Sequence, residues 1–414
     1  MELAISAVSG EILSRFVSFL IKKYTNRASL EEKIERLQQL LLRVHTVVEE
    51  TEGRYITNSQ MLVKLGLLVD AMYKGYSVLD TFKYKPFETT ILKEQMPKRP
   101  YDTYLYIDSF MFSRLLIMFS RLVEKQQIID LLLQDNSLHG APAVVPVIGG
   151  YNVGKKSLVG YACNNSMKAG HETFLPVRTL VIVEFTSDVD DSEWVKFYSA
   201  TSHRDIGSKV IIISRLEEIA RFGTVKAIRL RNLSHAEFMY LFKILAFGGT
   251  DPENHPQMAS TGMEIAKMLQ GLLLSVNVLA DILRKNQNVQ FWLHILKRFR
   301  SSVEHNLSLF GEHPKQLVER DRPSDITMFI SPSAAPLHLM PPRGDSNFHN
   351  KELSNVTFGD ILQGSSTIVP KDEFQILAWQ SRIPPFTKFI ANCIVDKYRC
   401  TFPDNKKREW SGIK

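Results

Sequence analysis

The sequence predicts a multidomain fold with an N-terminal bundle of four α-helices, an α/β domain built on a parallel sheet, and a small irregular or β C-terminal module. Three features of its 414 residues predict this fold. Apolar residues recur at three- and four-residue steps through the first third, β-branched runs then alternate with helical stretches, and prolines become frequent towards the end. We place the domains at 1–138, 139–303 and 351–414, with a linker over 304–350.

The composition is typical of a soluble protein in a reducing compartment. It is 44% hydrophobic and 23% charged, and its three cysteines (Cys163, Cys393 and Cys400) lack the spacing of a zinc site or of a disulfide framework. Charged residues near the N-terminus exclude a secretory signal, and no uncharged apolar run is long enough to span a membrane. We expect a cytoplasmic protein, and the triplet Lys406-Lys407-Arg408 keeps a nuclear location as the alternative.

Four amphipathic stretches predict the N-terminal helices. They run from Ile5 to Leu20, from Glu31 to Glu50, from Ser59 to Phe82 and from Ser109 to Leu133. Each has an apolar stripe that must be buried against the other helices or against a partner. Interruptions of the pattern favour a bundle over one long coiled coil.

Short apolar runs predict the parallel sheet of the next domain. They are Ala143 to Ile148, Thr179 to Phe185 and Lys209 to Ile213. Such continuous β-branched runs are typical of strands that are covered on both faces. Helical stretches lie between and after them, at about 158–168, 216–221, 234–247 and 258–285. The order of strands and helices indicates an α/β domain.

The C-terminal quarter carries weaker signals. Six prolines fall between Pro314 and Pro342, among Ser, Asp and Gly, and indicate a linker with little structure of its own. Short apolar segments between Val356 and Leu377 then predict strands or turns of a small module.

One chemical motif lies in the α/β domain. Gly149-Gly150-Tyr151-Asn152-Val153-Gly154-Lys155 fits G-x-x-x-x-G-K and lies between a predicted buried strand and a predicted helix. In such a loop the main-chain N–H groups face phosphate groups and the lysine adds a positive charge. The motif predicts a site for ADP or ATP, with a glycine turn that binds no ligand as the alternative. The candidate nucleotide-binding residues are Gly149, Gly150, Asn152, Val153, Gly154, Lys155, Lys156, Ser157 and Arg215.

Two departures from the motif predict poor hydrolysis. Lys156 stands where Ser or Thr would hold Mg²⁺, and an ammonium group cannot coordinate a cation. Glu184 ends the second strand run where an acid of the magnesium shell belongs, but Phe185 replaces the neighbouring acid that polarises water. We therefore predict a non-catalytic pseudo-NTPase, with Mg²⁺ disfavoured. The alternative is an active ATPase switch that uses Lys155, Ser157 and Glu184.

At several segments the chain resembles the coiled-coil NB-ARC (NLR) family of plant disease-resistance proteins. The phosphate-loop segment Val147 to Leu158 resembles the family's, and Gly207 to Arg215 resembles its G-S-(K/R)-I-I-x-T-(T/S)-R segment. Further segments are similar to its L-x-x-L…L-F…A-F, E-I-A-K…G-L-P-L and tryptophan-helix patterns, at Leu230 to Phe247, Glu264 to Leu274 and Phe291 to Leu296. The N-terminal helices are similar to the Rx-type N-terminal domain.

The resemblance implies a role in plant defence, with Arg215 as nucleotide sensor. Tyr76 to Asp80 occupies the place of an E-D-V-I-D-like patch that makes an intramolecular contact in relatives. The expected partners are other proteins, namely NLR receptors or the N-terminal bundle of a second copy. Because no leucine-rich repeat or Met-His-Asp motif is recognised, we expect a truncated, degenerate member. Nucleic-acid binding is disfavoured, since the net charge is only +7 and no face interleaves aromatic and basic residues.

Overall fold

The computed structural model describes the larger part of the chain. The described residues are 30–51, 58–83, 121–134, 142–169, 179–201, 208–248, 250–330, 335–340, 353–363, 373–380 and 388–395. The predicted helix from Ile5 to Leu20, the start of the one from Ser109 to Leu133, and the triplet Lys406-Lys407-Arg408 lie outside these residues. The chain divides into two compact units, one of residues 1–297 with 378–389 and the other of 298–377 with 390–414.

The described N-terminal part consists of three helices, α1 (Leu30–Thr51), α2 (Ser59–Lys83) and α3 (Leu122–Leu133). The α2 helix begins after Asn58, whose side-chain oxygen accepts hydrogen bonds from two main-chain N–H groups of the first turn. Its apolar face, which includes Leu65 and Leu68, is fully buried. The helices predicted from Glu31 and from Ser59 are confirmed, whereas a bundle of four helices stays a prediction.

The second helix also packs on the α/β part of the chain. The ring of Tyr240 lies 5.4 Å from that of Tyr73 and is stacked at 4.6 Å on that of Tyr76. Tyr76 belongs to the segment that takes the place of the family's E-D-V-I-D-like patch, of whose charge only Asp80 is present in this chain. The contact seen here is made by aromatic rings, which bury large areas and prefer offset or tilted arrangements.

Four parallel strands form the first sheet: β1 (Ala143–Gly149), β2 (Leu180–Phe185), β3 (Lys209–Ser214) and β4 (Ile228–Leu230). Their order is β2-β3-β1-β4, with Val145 of β1 opposite Ile211 of β3. The three predicted strand runs are confirmed. The sequence analysis missed β4, because three residues are too few to show a period.

The sheet is buried on both faces, as its continuous apolar runs predicted. Val145 and Val147 face one core with Leu158, and Val144 and Ile148 face the other. The second core is completed by the stacked rings of Trp194 and Phe222, 4.9 Å apart. Because β2 lies at the edge of the sheet, its residues are only partly buried or exposed.

Helices surround and follow this sheet. They are α4 (Lys155–Ala169), α5 (Asp191–Thr201), α6 (His235–Phe247), α7 (Pro256–Leu269), α8 (Leu273–Lys285) and α9 (Val289–Phe310). The stretch predicted as one helix at 258–285 is two, because Gln270 and Gly271 both adopt positive φ angles and end α7. The α5 helix was not predicted, and the stretch at 216–221 is a 3₁₀ helix, Glu217–Phe222.

A second, five-stranded sheet has the order β5-β6-β9-β8-β7. The elements of this part of the chain are α10 (Pro314–Glu319), β5 (Ser324–Asp325), β6 (Leu337–Met340), β7 (Leu353–Thr357), α11 (Phe358–Gln363), β8 (Phe374–Gln380) and β9 (Lys388–Val395). Segments of the predicted linker 304–350 therefore pair with strands of the predicted module 351–414.

This difference from the predicted linker has a physical cause. The side chain of Asn306, fully buried, donates to the carbonyl oxygens of Ser302 and Asp325 and accepts from the N–H of Asp325. These bonds tie α9 to β5 and satisfy buried main-chain groups. Proline frequency does not report such long-range bonds. Pro314 itself is the first residue of α10, a position that suits proline.

Candidate functional site

The candidate loop lies at the junction that the sequence analysis predicted for it. Gly149 ends β1, α4 begins at Lys155, and the residues between them form turns. Asn152 and Gly154 have φ angles of 52° and 89°. A Cβ on Gly149 would lie 2.7 Å from the carbonyl oxygen of Leu230, so no larger residue fits there. Val153 is buried against the core and anchors the loop.

The side chain of Lys155 folds back over the loop. Its Nζ donates to the carbonyl oxygens of Gly149 and Gly150, each at 2.7 Å. The hydrogen bonds described for this ammonium group thus go to neutral main-chain oxygens. A phosphate oxygen is a stronger acceptor for an ammonium group than a neutral carbonyl, because the bond is charge-assisted on both sides.

The surroundings of Lys155 favour an anionic ligand. Burial is the main reason why the pKa of Lys155 falls from 10.5 to about 8. Glu184 acts against this fall, whereas the positive charges of Lys156 and Arg215 add to it. A bound anion would offset both the burial of the ammonium group and its repulsion by neighbouring cations.

Lys156 and Glu184 form an ion pair. Nζ of Lys156 lies 2.7 Å from Oε2 of Glu184, and each side chain is about half exposed, at 49% and 43%. The pair links the first turn of α4 to the end of β2. Glu184, predicted as an acid of the magnesium shell, therefore has an ammonium group as its partner.

The residues at this place do not fit Mg²⁺. The ion needs oxygen ligands, and the position next to Lys155 supplies an ammonium group that pairs with the carboxylate of Glu184. Phe185 packs against the rings of Trp194 and Phe222, with ring centroids 6.0 and 6.3 Å away. Across the described residues, no group of three or more His, Cys, Asp or Glu side chains is suited to a metal ion.

The structure brings four of the predicted charged residues together. Lys156, Glu184 and Arg215 each affect the pKa of Lys155, because the carboxyl ends of β1, β3 and β2 lie side by side. Ligands of open α/β sheets bind at this edge. Ser157 is partly buried on α4, one residue and therefore about 100° beyond Lys156 around the helix.

Sequence reasoning missed one residue beside the loop. Oδ1 of Asn232 lies 3.6 Å from the place where a Cβ of Gly150 would be. Asn232 follows the short strand β4, so its position beside the loop depends on a strand that the sequence did not reveal.

The loop carboxylates after β2 have a structural role. Arg221 donates to Asp188 and Asp191, at 3.0 and 2.9 Å, and its hydrogen bond lowers the pKa of Asp188. The side chain of Asp190 accepts from the N–H of Ser192 at the start of α5. Each of the three acids therefore has a partner within this part of the fold.

The described fold is that of a helical N-terminal part followed by an α/β part on a four-stranded parallel sheet, as in NTPase-like domains. Within the described residues, no helix is both long and apolar enough to cross a membrane. The family profile of the Rx N-terminal domain matches residues 8–99, which include α1 and α2.

Plant proteins are similar to this chain. A protein of Arabidopsis thaliana named as a disease resistance protein is 23% identical over 44% of this chain and 16% of its own length. The disease resistance protein RGA2 of Solanum bulbocastanum is 28% identical over 28% of this chain and 12% of its own. A second Arabidopsis thaliana protein, named as RPP13-like, is 32% identical over 33% and 16%. The chain spans 12 to 16% of the length of these relatives.

The family profile and these relatives support the resemblance to plant disease-resistance proteins of the NLR type with an Rx N-terminal domain that was drawn from the sequence.

Proposed function

We propose that this chain acts in plant defence as a non-catalytic member of its family, which binds ADP or ATP weakly at the loop from Gly149 to Ser157. The observation that carries the proposal is the Lys155 ammonium group. It lies over the loop at the start of a helix, is partly buried, and donates to carbonyl oxygens of the loop. The N–H groups at the start of α4 add a further attraction for phosphate.

Poor turnover follows from the groups around the loop. Hydrolysis needs a positioned metal ion and a group that orients the attacking water. Lys156 pairs with Glu184, and Phe185 is packed in a hydrophobic core. The rival function, an ATPase switch that uses Lys155, Ser157 and Glu184, would require this ion pair to break. Single-turnover hydrolysis that is abolished in Lys155→Ala would establish the rival.

Calorimetric titration with ADP tests the binding itself. We expect wild-type protein to bind in the high-micromolar range and Lys155→Ala to bind at least about tenfold more weakly, the loss of one charge-assisted contact. Lys196→Ala is the matched control, since it removes an exposed lysine of α5 that pairs with Glu193. If folded wild-type protein gives no heat at millimolar ADP, or if both variants behave alike, the binding proposal fails.

A second candidate function, a signalling scaffold that acts through the N-terminal bundle, is supported by the surface of α2. Val63 and Leu67, one turn apart, are 57% and 52% exposed. Two exposed apolar side chains on one helix face could pack against the helical bundle of a second copy or of an NLR receptor. Light scattering after size-exclusion chromatography tests self-association. A wild-type dimer that Val63→Glu/Leu67→Glu converts to a monomer would support the scaffold through a second copy, and a wild-type monomer at all concentrations would exclude that occupant.

A further inference from the structure

We infer that the Lys156–Glu184 ion pair takes the place of the magnesium ion, so that this loop binds the diphosphate of a nucleotide without metal. The inference rests on the proposed function, since it specifies the form of the nucleotide that the loop accepts. It starts from the misfit described above, in which the nearby groups pair with each other and leave no set of oxygen ligands.

The ion pair occupies the place of a metal bridge. A magnesium ion at a phosphate loop is held between the first turn of the helix and an acid at the end of another strand of the sheet. Here Nζ of Lys156 makes the same connection directly, 2.7 Å from Oε2 of Glu184. The ammonium group has three donors, of which the carboxylate needs one or two. Lys156 can therefore hold Glu184 and still donate to a phosphate oxygen.

The charges of the site favour a phosphate group that carries its full charge. Lys156 and Arg215 are near enough to Lys155 to lower its pKa by charge repulsion, and Glu184 is the acid that acts against this effect. Mg²⁺ bound to ADP neutralises the charge that would attract these cations, and the ion itself would be repelled by Lys156. Free ADP therefore fits the loop better than its magnesium complex, and added Mg²⁺ weakens binding by competing for the phosphates.

Titrations with and without metal test this inference. Wild-type protein is titrated with ADP in EDTA and then in excess Mg²⁺, and we expect binding to be about tenfold weaker with the metal, equivalent to one lost charge-assisted contact. Lys156→Thr restores a hydroxyl and releases Glu184, so binding by this variant should become tighter with Mg²⁺. The double variant Lys156→Thr/Glu184→Gln should not bind ADP more tightly in Mg²⁺. Lys196→Thr is the control, because it removes one lysine charge away from the loop.

Each outcome decides one of the two proposals. Wild-type binding that needs Mg²⁺, or a Lys156→Thr variant that responds to the metal as the wild type does, overturns the metal-free inference while the nucleotide site stands. No heat from wild-type protein in either buffer overturns the nucleotide site, and the inference with it. Circular dichroism verifies that every variant is folded; both substituted side chains are about half exposed, so the substitutions leave the cores intact.

Discussion

The affinity for ADP should fall as the pH rises from 7 to 9, because Lys155 loses its proton in this range. The pKa of Lys155 is about 8 in the unliganded protein. A bound phosphate raises this pKa, so binding takes up a proton and becomes weaker above pH 8. At pH 9 about one tenth of the unliganded protein keeps the ammonium group, which predicts an affinity about tenfold lower than at pH 7. The phosphates are already ionised there, since their second pKa is about 6.

Calorimetry in EDTA at several pH values between 7 and 9.5 measures this effect. Lys155→Arg is the control, because a guanidinium group stays charged throughout the range. The pH dependence of Lys155 acetylation, followed by mass spectrometry, gives the pKa without any nucleotide. A wild-type affinity that is the same at pH 7 and pH 9, or an equal fall in Lys155→Arg, would refute the reasoning.

Three substitutions test the structural basis of the fold and the loop. Glu237→Ala should lower the free energy of unfolding by about 3 kcal/mol, since this buried carboxylate (2% exposed) makes a bidentate pair with Arg231 and completes the helix cap of α6. Glu237→Gln keeps an oxygen for the helix cap but loses the charge, so it should lower the free energy of unfolding by less than Glu237→Ala does. In urea unfolding, no loss at all in Glu237→Gln would contradict the role of the charge. Trp292→Ala should lower the free energy of unfolding by about 3–5 kcal/mol in the same assay, because the indole is fully buried and its N–H donates to two carbonyl oxygens. A loss no larger than that caused by substituting an exposed side chain would argue against this packing. Gly154→Ala should lower the free energy of unfolding by about 1 kcal/mol, because a side chain is strained at a φ of 89°. It should also weaken ADP binding, and unchanged binding would show that binding does not require this loop conformation.

Local patterns were enough to predict the strands at the centre of the sheet and the glycine loop. The runs at Val144 and Val210 are continuous and apolar because β1 and β3 are covered on both faces. In the loop, close backbone approach at Gly149 and a positive φ at Gly154 favour glycine. The edge strand β2 was found by the same pattern although Ile182 is half exposed.

Elements that depend on distant partners were not predictable in this way. The short strand β4 exists because it pairs with β1 over three residues. The second sheet uses residues of the predicted linker because Asn306 and Asp325 bond to each other across nineteen positions. Neither arrangement leaves a period in the sequence.

The sequence by itself determined the family resemblance, the central strands of the sheet and the residue types of the glycine loop, because these depend on neighbours along the chain. It named Lys156 and Glu184 as departures from the usual motif. Only the tertiary structure decided that these two side chains form a pair, since they lie on different elements and β3 separates β2 from β1 in the sheet. A contact between side chains that are distant in sequence depends on the packing of whole elements, and that packing is a property of the folded chain.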